Sequence, residues 1–163
     1  MNQRIGKLID PRTEGRRLDL KAPLFDEAAI ARAQETLESL GSSMTEWLDA
    51  DIDRLQEARF SAEATGWSNA ALELLMAAAH DLKGMGATYG FPIITDIAAS
   101  LCRLVETDAG KAAARANPGL VCAHVDALRA SARERIADAG HPIGRALLQA
   151  LSIHIDKLGV APR

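Results

Sequence analysis

From Asp26 onward, apolar residues recur at three- and four-residue spacings between glycines, prolines and capping residues, and no stretch alternates in the manner of a strand. Helices alone are predicted. Asp26 can cap "EAAIARAQETLESL", whose Ile30, Ala33, Leu37 and Leu40 form one stripe, with Gly41 expected to stop it. Ser43 and Glu46 have the S-x-x-E spacing of a capping box and are expected to open a longer helix, with Met44, Leu48, Ile52 and Leu55 on one side and an end near Thr65-Gly66. Ser68 caps the next helix, with Trp67 and Leu72 at the positions of a hydrophobic staple and Gly90 as the stop. Pro92 suits the first turn of a helix bearing Ile94, Ile97, Leu101, Leu104 and Val105. Residues 107–117 read as a loop or short irregular helix. Asn117-Pro118 starts another helix, with Val121, Val125, Leu128, Ala132 and Ile136 in its stripe and an end at Gly140. After His141-Pro142 comes a last helix, with Ile143, Leu147, Leu151, His154 and Leu158 expected to share a face.

The architecture expected from these segments is all-α: an antiparallel bundle of four core helices with additions at both ends. Residues 1–25 are an arm with six Lys/Arg against three acidic residues, broken by Pro11, Gly15 and Pro23. Residues 26–139 are the bundle, and 140–163 an additional C-terminal helix packed on it. A length of 163 residues suits one domain, and the core stripes are expected to find partners within one chain, giving a monomer. A net charge of −3 gives little support for nucleic-acid binding. No apolar run reaches the roughly 20 residues of a membrane span and the first residues lack the apolar region of a signal peptide, so a cytoplasmic location and no membrane partner are expected. Cys102 and Cys122 have no metal-ligand or disulfide spacing and read as buried thiols. Asp49, Asp51 and Asp53 fall inside a helical pattern without the glycine of a calcium loop, and read as a solvated acidic face; no metal site is expected.

The chemistry concentrates in "AAAHDLKGMGATYGFP", residues 77–92. At about 100° per residue, Leu72, Leu75, Ala79, Leu82 and Gly86 share the core face of their helix, and His80 lies about 120° away from it. One turn from His80 are Met76 and Ala77 on one side and Lys83 and Gly84 on the other, with Ala87 two turns on. An interior glycine costs a helix about 1 kcal/mol relative to alanine. For Gly86 a close helix–helix approach accounts for it. Gly84 faces outward, and its expected role is to let another molecule come within contact distance of the histidine. A neutral imidazole is a nucleophile near pH 7. The Lys83 ammonium can offset the charge of a phosphoryl group, so reversible phosphoryl transfer is the chemistry this set suits. Of the other histidines, His124 and His154 lie among apolar stripe positions and read as partly buried core residues, and His141 as an exposed turn residue.

"HDLKGMGATYGF" resembles the signature of histidine-containing phosphotransfer (HPt) domains, in which the phosphorylated histidine is followed by x-x-Lys-Gly and, six residues after that glycine, by Gly-Phe or Gly-Leu. His80, Lys83, Gly84, Gly90 and Phe91 match. "IITDIAASLCRLVE" is similar to the family's next helix, and the resemblance runs from about residue 26 to about 137. It implies a four-helix bundle with the histidine exposed midway along the second bundle helix. It further implies a relay intermediate rather than an independent enzyme, with His80 carrying a phosphoryl group between aspartates of receiver domains in hybrid kinases or response regulators. On that reading this chain needs no cofactor, and magnesium belongs to the receiver. In the similar domain of chemotaxis kinases the next helix supplies a histidine and a glutamate that tune the ring. Ala99 and Cys102 stand at those positions here and cannot do so. With no kinase domain in the sequence, a free-standing module is expected. The alternative is an HPt-like bundle that sequesters a regulator without turnover.

Overall fold

The computed structural model describes residues 26–159 of the chain, and the described residues are helical throughout, with no strand. The predicted arm, residues 1–25, and the last four residues lie outside them. The six helices are α1 (Glu27–Ala64), α2 (Asn69–Met85), α3 (Pro92–Val105), α4 (Asp108–Ala116), α5 (Pro118–Arg133) and α6 (Pro142–Lys157). The chain divides into two compact units at Glu38/Ser39, inside α1.

In the first unit, the turns of α1 up to Glu38 are exposed, Ile30 to 45% and Leu37 to 67%. Two expectations fail here. α1 runs through Gly41 without a stop, and the Ser43–Glu46 capping box does not form, because Ser43 Oγ lies inside the helix and donates to Ser39 O at 3.1 Å. Gly41 and Ser43 are weak breakers, and each can be carried in a helix interior at modest cost. Ile30, Leu37 and Leu40 are exposed where their spacing suggested a buried stripe.

The second unit is the four-helix bundle, made by α1 beyond Ser39, α2, α3 and α5. Its core draws Leu48, Ile52 and Leu55 from α1, Leu72, Leu75, Ala79 and Leu82 from α2, Ile94, Ile97, Leu101 and Leu104 from α3, and Val121, Val125 and Leu128 from α5. Each fully buried Leu or Ile contributes about 1.5–3 kcal/mol, which outweighs the weak caps. α1 ends on a left-handed Gly66, with Trp67 N donating to Ala62 O at 2.7 Å. Ser68 then caps α2, its hydroxyl accepting from Ala71 N. α4 is a regular nine-residue helix, capped by Thr107, where a loop or short irregular helix was expected. α5 stops at Arg133, seven residues before Gly140, because Arg135 adopts a positive φ and Ile136 N donates back to Ser131 O. Ile136 is buried even so, in the connection rather than the helix.

α6 lies against α3 and α5 and buries Gly144, Leu151 and Ile155. Its inward face is rotated from the expected one: Ile143 and His154 are exposed, while Ile155 is fully buried. His124 is a core residue as expected. Its Nδ1–H donates to Leu120 O at 2.8 Å and its Nε2 accepts from Ser100 Oγ at 3.0 Å, and burial lowers its pKa. Cys102 is buried, which pushes its thiol up to about 11 despite the nearby Lys83 charge, whereas Cys122 is half-buried rather than a core thiol.

Candidate functional site

α2 buries Ala71, Leu72, Leu75, Ala79 and Leu82, and this fixes which side of the helix is free. His80, Lys83 and Gly84 stand on that free side, exposed, with Ala77 and Ala87 also exposed and Met76 half-buried. His80 is the twelfth of seventeen residues in α2, in its C-terminal half rather than midway. A methyl group built on Gly84 would meet nothing within 4 Å. The same construction on Gly86 brings the added carbon to 2.7 Å from Thr95 N, 2.9 Å from Thr95 Oγ1 and 3.0 Å from Ile94 Cβ. Two glycines two residues apart thus have opposite surroundings, one in open space and one against the start of α3.

Past Met85 the chain tightens into a run of turns. Ala87 N donates to Thr95 Oγ1 at 3.0 Å, and Phe91 N donates to Gly86 O at 2.9 Å. Gly90 has φ +85°, a conformation side-chain-bearing residues rarely adopt, which accounts for glycine at this point of the motif. Phe91 packs on the core and lies under the guanidinium of Arg135, 5.8 Å from its ring centre. Gly86, Gly90 and Phe91 therefore hold the turn that joins the histidine helix to α3.

A polar network absent from the sequence reading braces the same turn. Tyr89 Oη donates to Asp51 Oδ2 at 2.9 Å; Asp51 is also paired with Arg54, and Arg54 reaches Asp81, the neighbour of His80, at 3.6 Å. Burial, this hydrogen bond and the Asp51 charge raise the Tyr89 pKa. Asp51 is 7% exposed, so it is not part of a solvated acidic face, although Asp49 and Asp53 are exposed. The signal was present: Asp51 sits three residues after Leu48 and four before Leu55, on the apolar side of α1. Between α1 and α2, a shallow groove of about 390 Å³ is lined by Arg54, Ala58, Leu74, Ala77, Ala78 and Asp81, among others, so it opens beside His80 with a largely apolar floor. Ala99 is half-buried and Cys102 buried on α3. Among the described residues no cluster of three or more His, Cys, Asp or Glu could hold a metal ion, and no helix is long and apolar enough to cross a membrane.

Fold and site together define an all-helical domain that presents His80 on the open face of α2. The profile of the Hpt domain matches residues 27–131, well over half of the chain, and the chain belongs to that family. Its members are histidine phosphotransfer modules of phosphorelays, intermediates rather than independent catalysts, and they interact with receiver domains of kinases and response regulators. The match runs from the first residue of α1 to Ser131 in α5, leaving α6 beyond it. No curated protein and no solved structure matched.

Proposed function

We propose that the protein is a phosphorelay intermediate that carries a phosphoryl group on His80 between receiver-domain aspartates. The observation that carries this reading is the pairing of an exposed His80 with an open Gly84 on the one free face of α2. In the forward step a ring nitrogen of His80 attacks the phosphorus of a receiver's aspartyl phosphate. A P–N bond forms, the P–O bond to the aspartate breaks, and the carboxylate leaves with the electron pair. The reverse step returns the phosphoryl group to a second receiver. Lys83, one turn away, offsets charge on the transferred group. Gly84 and Ala87, with Ala77 and Met76, form the floor on which the receiver sits, and the groove beside Leu74 extends that floor with apolar surface. Magnesium and the remaining catalytic groups are the receiver's, and this chain requires no cofactor of its own.

The rival reading, a bundle that only sequesters a regulator, gives no reason to keep a nucleophile and a cation together beside an open glycine. Mixing the protein with purified receivers charged with radiolabelled phosphoryl donor tests the choice. Label moving onto the protein and back to a second receiver supports the relay. A stable complex with no label on this chain under conditions where the receiver stays charged would sink it.

A further inference from the structure

Given the relay reading, on which this step rests, we infer that Asp81 and Leu74 choose among receivers, selecting one that presents an apolar side chain beside a lysine or arginine. His80 separates two unlike flanks. On one flank, burial raises the Cys102 thiol and the Lys83 charge opposes it, which places that ammonium on the α3 side. The cation that meets the phosphoryl group therefore lies there. Toward α1 the balance is reversed: Asp51, Glu57 and Asp81 bring three carboxylates against the single guanidinium of Arg54. A receiver seated on His80 meets that excess of negative charge along the groove of about 390 Å³ between α1 and α2.

Asp81 is held in place before any partner arrives. Tyr89 Oη donates to Asp51 at 2.9 Å, Asp51 pairs with Arg54, and Arg54 Nη1 stands 3.6 Å from Asp81 Oδ2. Asp51 is nearly buried, so this chain of contacts starts in the bundle and ends on the neighbour of the nucleophile. A side chain fixed in advance loses little rotamer freedom on docking. The side chains of Arg54 and Asp81 are still 60% and 57% exposed, which leaves the carboxylate open to a second cation. Glu57, on the same groove, has no hydrogen bond or ion pair among the described residues. Leu74 supplies the apolar half. It is 60% exposed and lies two turns before Asp81 on the same side of α2, with Ala77 and Ala78 between them and Ala58 across the groove. Those small side chains leave room beside Leu74 for one from the receiver. Packing on Leu74 then gives affinity, whereas the carboxylates give selectivity, since a receiver with acidic residues at that edge sets like charge against Asp81.

The test is transfer to the full chain from a panel of purified receiver domains, each charged with radiolabelled acetyl phosphate and titrated to give KM and kcat. The panel includes receivers whose face around the phosphorylated aspartate is basic and others in which it is acidic. Leu74→Ala is expected to raise KM about 5- to 30-fold, with kcat held within about threefold and the melting temperature unchanged. Asp81→Asn is expected to raise KM about 2- to 5-fold for the basic-faced receivers and to weaken its dependence on salt. Asp81→Lys should reorder the panel, with acidic-faced receivers gaining and basic-faced ones losing. If the parent is labelled but Leu74→Ala and Asp81→Asn keep its KM, or lose only kcat, the inference is overturned and the relay stands. Equal loss across the panel for Asp81→Lys overturns it as well, because the carboxylate would then not discriminate. If no receiver labels the parent, the relay reading and the inference fall together.

Discussion

Gly84 and Gly86 allow the docking role of a residue to be separated from its structural role within a single turn of helix. Glutamine at position 84 enters open space and replaces the poorest non-proline helix former with a good one, a gain of up to ~0.5 kcal/mol, or about 1–2 °C in melting temperature for a chain of this size. The same residue on a surface that a receiver must touch overpacks the interface by about 1–3 kcal/mol, and at ~1.4 kcal/mol per decade phosphoryl transfer falls about 5- to 150-fold. At position 86 the added side chain starts 2.7 Å from Thr95 N, a backbone atom that cannot swing away. Overpacking there, together with loss of the Ala87 N–H to Thr95 Oγ1 hydrogen bond, sums to about 2–4 kcal/mol, or roughly 4–16 °C. Thermal melts and rapid-quench transfer from a charged receiver, run on both variants, read the two effects. The reasoning is refuted if Gly84→Gln transfers at the parent rate, or if it melts lower than Gly86→Gln.

Tyr89→Phe removes a hydrogen bond to the nearly buried Asp51 carboxylate and should lower stability by about 1.5 kcal/mol, or ~3–6 °C, in thermal melts while phosphate still loads on the protein; loss of loading without loss of stability would place Tyr89 in the chemistry instead. Burial holds the folded-state pKa of His124 below its unfolded value, so the unfolded chain binds the extra proton first and the stability contributed by neutral His124 is present above about pH 6.5 and lost as pH falls toward the lowered value, at up to ~1.4 kcal/mol per pH unit. Urea titrations between pH 7.5 and 5 should show a steeper acid loss for the parent than for His124→Gln, and equal slopes would contradict this account of the buried ring.

Where a helix's apolar stripe is its core stripe, periodicity alone placed the face correctly: Leu72, Leu75, Ala79 and Leu82 left His80 outside, and Ser68 and Pro92 marked their helix starts. Periodicity could not say whether a stripe meets the core. Ile30, Leu37 and Leu40 have the spacing of core residues but lie on an unbroken α1 in which Gly41 and Ser43 are tolerated, because stop signals worth about 1 kcal/mol do not override a continuous helix. α6 shows the same ambiguity, since Leu147, Leu151 and Leu158 are compatible with either His154 or Ile155 on the inner face and packing on α3 and α5 selects Ile155. The Asp51–Tyr89 bond joins residues 38 apart in sequence, so only tertiary structure could reveal it, although an aspartate between Leu48 and Leu55 on an apolar face was a visible anomaly.

The central claim is that the imidazole of His80 bears the phosphoryl group. Loading the full chain from a phosphorylated receiver and comparing it with His80→Gln tests this directly, because a phosphoramidate is labile in acid and stable in base, whereas an acyl phosphate is lost in base. His80 is exposed, so the substitution leaves the core untouched and the variant should fold with the parent's helicity. The account predicts an acid-labile, base-stable label on the parent and none on the folded variant; label that persists on His80→Gln, or a base-labile label on the parent, would contradict it.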